Sequence, residues 1–121
     1  MNCIFCKIIN GDIPSYTIYE DEYVKCFLDV NPISNGHTLI VPKKHFLDVN
    51  DIELEYLSKI NEASKIIVKK LNDVFKPDGI RLVQNNGSLQ EVKHYHLHII
   101  PSYTNKDDKL ETEEVFNLLT K

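Results

Sequence analysis

The chain has 121 residues, 42% hydrophobic and 26% charged, with four Gly and five Pro, a composition that supports one cored domain over residues 1–121 and excludes a disordered or fibrous chain. Fourteen Lys+Arg against eighteen Asp+Glu leave a formal net charge of −4, so no basic field draws duplex nucleic acid and stable nucleic-acid binding is not expected. No apolar run approaches the roughly 20 residues of a membrane span, and no signal-type stretch opens the chain, which predicts a cytoplasmic protein with no membrane partner.

Cys3 and Cys6 lie three apart and Cys26 is the third cysteine. An odd, closely spaced set suits a reducing compartment and metal or redox chemistry better than a disulfide framework. Cys26, in an apolar run, reads as a small core residue. Residues 16–20 and 23–28 are rich in aromatic and β-branched side chains around Asp21-Glu22 and predict a hairpin. Asn31-Pro32 and Asn35-Gly36 mark turns, after which residues 37–41 predict a third strand ended by Pro42. Asn50 with Glu53 has capping-box spacing, and apolar residues recur at Leu57, Ile60, Ala63, Ile67, Leu71 and Val74, predicting one long amphipathic helix. Pro77 and Asp78-Gly79 stop it, residues 80–84 resume a strand, and 85–88 turn. Residues 92–100 predict the last strand, closed by Pro101, and residues 111–119 a short terminal helix. Strands in local succession around one long helix indicate an antiparallel α+β fold with the helix on one face of the sheet.

Three of the five histidines stand at His94, His96 and His98. Strand alternation would project all three to one side, with Tyr95, Leu97 and Ile99 packing on the other against the long helix. A row of imidazoles is costly in a core without partners and suits acid, base, nucleophile or ligand chemistry near neutral pH. A single zinc held by all three is unfavourable, because at about 3.3 Å per residue the outer two start ~13 Å apart while ligand atoms must lie ~2 Å from one ion.

The run His-Tyr-His-Leu-His-Ile-Ile-Pro at 94–101, with Gln90 upstream, resembles the signature of the histidine triad (HIT) family of nucleotide-binding hydrolases and transferases. The likeness extends through Cys-Ile-Phe-Cys-Lys-Ile-Ile-Asn-Gly-Asp-Ile-Pro at 3–14, Phe-Leu-Asp-Val-Asn-Pro at 27–32, Gly-His-Thr-Leu-Ile-Val-Pro-Lys-Lys-His at 36–45 and Asn-Asn-Gly at 85–87, and is nearest to the Hint-like branch. It implies a HIT-like α+β fold: a five-stranded antiparallel sheet, one long helix and short terminal helices, usually a homodimer joined through the long helix and the last strand. It also implies His96 as the nucleophile toward an α-phosphate, His98 as support for phosphate and leaving group, and His94 as the group that orients His96 through its carbonyl. Asn85 and Gln90 map onto phosphate-binding positions, Asp29 onto the ribose acceptor, and His37 onto the border of the phosphate site. Ile4, Phe5, Ile8, Ile13, Phe27 and Leu39 are similar to residues that sandwich a purine base; their pattern alone reads as core.

Cys3 and Cys6 have zinc-knuckle spacing but make only a half-site, with His45 and His94 as further donors. The resemblance implies a structural zinc held by all four and no organic cofactor. Three departures stand out: the loop before Gln90 is shorter by two residues than in many relatives, Glu91 occupies a frequent Ser or Thr position, and Ser102 a frequent Arg position. They leave three readings open. The first is a hydrolase or transferase of purine phosphoramidates, dinucleoside polyphosphates or related esters; the second is a nucleotide sensor or partner-binding protein with little turnover; the third is a zinc-dependent hydrolase.

Overall fold

A computed structural model describes residues 2–105 and 109–121. Its elements are α1 (Ile4–Ile9), β1 (Thr17–Glu20), β2 (Val24–Leu28), β3 (Thr38–Pro42), α2 (Leu54–Phe75), β4 (Gly79–Gln84), a 3₁₀ turn (Gly87–Leu89), β5 (Leu97–Ser102) and α3 (Thr112–Leu119). The strands form one antiparallel sheet in the order β1-β2-β3-β5-β4. The predicted hairpin is β1-β2, its turn held by the Asp21 carboxylate, which accepts the Tyr23 and Val24 N–H groups at 2.8 and 2.9 Å.

Residues paired directly across antiparallel strands share a face of the sheet. Cys26, Ile40, Leu97 and Ile99 therefore point to one side, where they join Ile60, Ala63, Ile67 and Leu71 of α2 in the larger core. Phe27, Leu39 and Val41 point to the other side and pack with Cys3, Phe5 and Ile8 in a smaller one. The opening helix α1 is six residues long and capped by Cys3, whose Sγ accepts the Cys6 N–H. Nothing in the periodicity announces so short a helix.

Three expected boundaries move, and one residue expected to be buried is not. The long helix starts at Leu54, with Glu53 at the N-cap position and no capping side-chain bond, so the box from Asn50 does not form. The Asn50 N–H bonds instead to Asp48 Oδ1, and the Asp48 carbonyl accepts the Asp51 and Ile52 N–H groups in a turn of its own. Glu53 reaches Lys44 at 3.2 Å. Val74, expected on the buried face of α2, is substantially exposed, and Phe75 packs against the core instead. The last strand starts at Leu97, not at residue 92, because the β3-β5 ladder ends at Ile40 and Leu97 and the Tyr95 N–H bonds to the Phe46 carbonyl at 2.7 Å. Pro101 lies inside β5 opposite Ile80; the ladder to β3 stops at Ile99, and beyond it a residue without an N–H is tolerated. The terminal helix has a true capping box between Glu111 and Glu114.

Candidate active site and metal cluster

His94 and His96 precede β5, yet both rings lie on the α1 side, where each meets Phe5 edge-on with ring centroids 5.8 and 5.1 Å apart. His98 follows on the strand, 4.9 Å from the His96 ring. The expected common face holds, and Tyr95, Leu97 and Ile99 lie in the α2 core.

Hydrogen bonds settle the tautomers of this row. His96 Nδ1 lies 2.8 Å from the His94 carbonyl; a carbonyl only accepts, so Nδ1 carries the proton and the lone pair stands on Nε2. Burial pushes the His96 ring below its ordinary pKa, against the upward pull of that bond and of the Asp29 and Glu91 carboxylates. His37 Nδ1 accepts the Ile33 N–H at 3.1 Å, so its proton is on Nε2, which donates to His98 Nδ1 at 3.0 Å. His98 must then present an Nε2–H. Burial, with His96 and His37 beside it, holds His98 down at about 4; burial also lowers His37, opposed by Asp29. The Asp29 carboxylate is 3.6 Å from His37 Nε2, longer than the His37–His98 bond, so His37 is a neutral donor and not half of an ion pair. Asp29 is half-buried, and its Oδ1 accepts the Asn31 N–H.

Phe5, Ile8, Phe27 and Leu39 form a buried apolar wall beside the triad, with Ile13 partly buried against it, while Ile4 is 49% exposed and outside that cluster. Leu39 is paired with both Phe27 and His98, and His98 with Val83, so one row crosses the sheet from the apolar wall to the edge strand. Asn85 lines an open cleft with His96 and His98. Gln90 is buried; its Nε2 donates to the Leu47 carbonyl at 2.7 Å, and its Oε1 has no partner among the described residues. Unlike Asn85, it is not among the residues that line the cleft.

The second cluster joins α1 to the segment before β5. Cys3 Sγ is 3.4 Å from His94 Nδ1, and Cys6 Sγ is 3.3 Å from His45 Nδ1 and 3.6 Å from His94 Nδ1. All four donor atoms fall within 4.8 Å of one another. Tetrahedral zinc with Zn–S of ~2.3 Å and Zn–N of ~2.0 Å separates its ligand atoms by about 3.3–3.8 Å, so the donors fit that ion in kind and spacing. His94 Nε2 donates to the Pro42 carbonyl at 2.9 Å, which leaves the Nδ1 lone pair available to a metal ion. Burial holds the His94 ring down at about 4, so it is neutral, as a ligand must be. Burial and the Cys3 thiol push Cys6 up to about 11; a divalent cation between the two thiols would reverse that. Cys26 is buried in the α2 core, as expected.

These features define a protein with a five-stranded α+β sheet, a neutral histidine row on one face and a Cys₂His₂ cluster at its edge. Residues 10–105 match the HIT domain. The chain is 46% identical over 108 residues to the protein hit of Bacillus subtilis, covering 88% of this chain and 74% of that one. It is 42% identical over 109 residues to an adenosine 5'-monophosphoramidase of Saccharomyces cerevisiae, covering 88% and 65%. A zinc-bound histidine triad family protein from Mycobacterium smegmatis has the same fold, with a TM-score of 0.90, 33% identity, and 99% of this chain and 91% of that one covered. The chain belongs to the HIT domain family, as the resemblance implied. Among the described residues, no helix is long and apolar enough to cross a membrane.

Proposed function

We propose that the protein hydrolyses purine nucleoside phosphoramidates, dinucleoside polyphosphates or related nucleotide esters through a nucleotidyl group carried on His96. The observation that carries this reading is the 2.8 Å bond from His96 Nδ1 to the His94 carbonyl, which leaves an unprotonated Nε2 on a neutral ring. Such a nitrogen is a competent nucleophile at pH 7. Its lone pair forms a bond to the α-phosphorus while the bond to the leaving group breaks. For an amine leaving group, the electron pair stays on nitrogen, which takes a proton from solvent. Water then attacks phosphorus, its proton passes to solvent, and His96 Nε2 is released. The Nε2–H of His98, held outward by His37, donates to the phosphoryl oxygen through both displacements. Asn85 adds a further donor. Asp29 accepts from the ribose hydroxyls, and the wall of Phe5, Ile8, Phe27 and Leu39 takes the base.

Cys3, Cys6, His45 and His94 are the ligands of a zinc ion whose role is structural. Bound zinc would supply cohesion between α1 and the sheet, and through His94 it would steady the carbonyl that orients His96. Metal-free turnover would set aside a zinc-dependent hydrolysis. A homodimer joins through α2 and a sheet edge. The last strand, β5, expected at that seam, is paired on both sides and is not free to join a second copy; of the two edge strands, β4 beside it carries Leu82, 51% exposed, with Ile66 of α2 also outward. A cytoplasmic location accords with the closely spaced thiols.

The test is a separation of binding from turnover. His96→Asn should keep nucleotide affinity within a few-fold while turnover of an adenosine phosphoramidate falls by about 10³-fold or more. Wild-type protein trapped during turnover at alkaline pH should carry the nucleotide on His96. An adduct on another residue, or normal turnover by His96→Asn, removes the mechanism. A nucleotide sensor with little turnover is the second reading, favoured by the Glu91 carboxylate in the cleft; a stable complex without product would support it.

A further inference from the structure

On the histidine face, the apolar wall occupies the β2-β3 half, and the half over β4 is an open cleft of about 330 Å³ with His96 and His98 on its inner side. Val83 and Ile100 line it, and among the described residues two charged side chains border it, Glu91 and Arg81. Both are exposed, and neither forms an ion pair among the described residues. They stand toward opposite ends. Arg81 is opposite Ile100, two residues along the strands from the Val83–His98 pair, or about 7 Å at 3.4 Å per residue. Glu91 lies in the segment between the 3₁₀ turn and β5, beyond the end of β4 at Gln84.

Resting on the hydrolase reading above, we infer that Glu91 and Arg81 select the leaving group by charge, favouring an amine that carries an acidic group several bonds from its nitrogen, as an ω-amino acid joined to phosphate through that nitrogen does. As the P–N bond breaks, the nitrogen keeps the electron pair and takes a proton from solvent, so positive charge gathers on the departing atom. The Glu91 carboxylate attracts that charge and repels a departing phosphate, which carries negative charge at neutral pH. Arg81 pairs with the acidic group further out, where a guanidinium matches a carboxylate with two parallel hydrogen bonds. A polyphosphate leaving group gains at Arg81 but must pass Glu91 at the reacting end.

The experiment compares kcat/KM for two adenosine phosphoramidates with the same P–N bond, one with an amine tail ending in a carboxylate and one in the matching amide, and for a diadenosine polyphosphate. Wild-type protein should prefer the carboxylate tail over the amide by about 10-fold, and Arg81→Gln should erase that ratio. Glu91→Gln should raise the diadenosine polyphosphate relative to the amide-tailed phosphoramidate by about 10-fold, and the gap should narrow in high salt. Ratios unchanged in both variants, with turnover intact, overturn the charge selection and leave the hydrolase reading in place. A wild-type protein that turns over none of the three compounds overturns the hydrolase reading and this inference with it.

Discussion

His94 belongs to both centres: its Nδ1 faces the two thiols, while its carbonyl receives the His96 proton. A single residue therefore couples the Cys₂His₂ cluster to the proposed nucleophile. Protein purified without chelator should contain about one zinc per chain by elemental analysis, and Cys3→Ser should lower both the zinc content and the melting temperature by several degrees. Turnover should fall with it, because the His94 carbonyl loses its support. Zinc-free protein of undiminished stability would count against the metal assignment. Gln90 shows what residue identity alone does not reveal. Its amide type suits phosphate, but the structure commits one N–H to the Leu47 carbonyl, a partner 43 positions away that spacing cannot foresee.

Among the elements, the turn into β3 carries the tightest steric demand. Gly36 adopts φ +93°, and a Cβ there would sit 2.6 Å from Leu71 Cδ2 of α2 and 3.5 Å from Pro101 Cγ. The next residue, His37, sets the tautomer of His98. Gly36→Ala should destabilise the fold by roughly 2–4 kcal/mol in urea unfolding, from backbone strain together with overpacking against Leu71. Because His37 would shift with the turn, turnover should drop at temperatures where the variant is still folded. A loss under about 0.5 kcal/mol would mean that α2 yields easily at this contact. The strands and the body of α2 are legible in the sequence because each runs long enough to display its period. The start of α2 is not. Asn50 and Glu53 have the spacing of a box, but Asp48 offers the Asn50 N–H a nearer acceptor, and the turn closes there first.

For the molecule as a whole, the buried histidines make stability depend on pH. His98 is held at about 4 and His37 is also lowered, while unfolded histidine titrates near 6.5. The unfolded chain thus binds more protons below pH ~6.5, so stability is fully present above that value and declines as pH falls toward about 4. Each histidine adds a slope of at most ~1.4 kcal/mol per pH unit. Urea midpoints measured from pH 7.5 to 4 should fall accordingly, and His98→Asn should flatten the decline. A midpoint independent of pH over that window would show that these rings accept protons freely in the folded state.

Much of this protein is determined by local sequence alone. The alternation in residues 94–99 separates three imidazoles from three core side chains, the periodicity of α2 selects its buried face, and the Cys-x-x-Cys pair proposes half a metal site. These features have periods of two or about 3.6 residues or a three-residue spacing, so a short window contains them. The tertiary structure decided how these groups close. It brought Cys3 and Cys6 to the His45 and His94 that the family resemblance names, and it alone set His37 against His98 across 61 positions and placed β4 at the sheet edge with Arg81 and Glu91 bordering one cleft. Such juxtapositions follow from strand order and from two separate cores on opposite faces of one sheet. Packing free energy summed over the whole chain decides both, and no single segment encodes it.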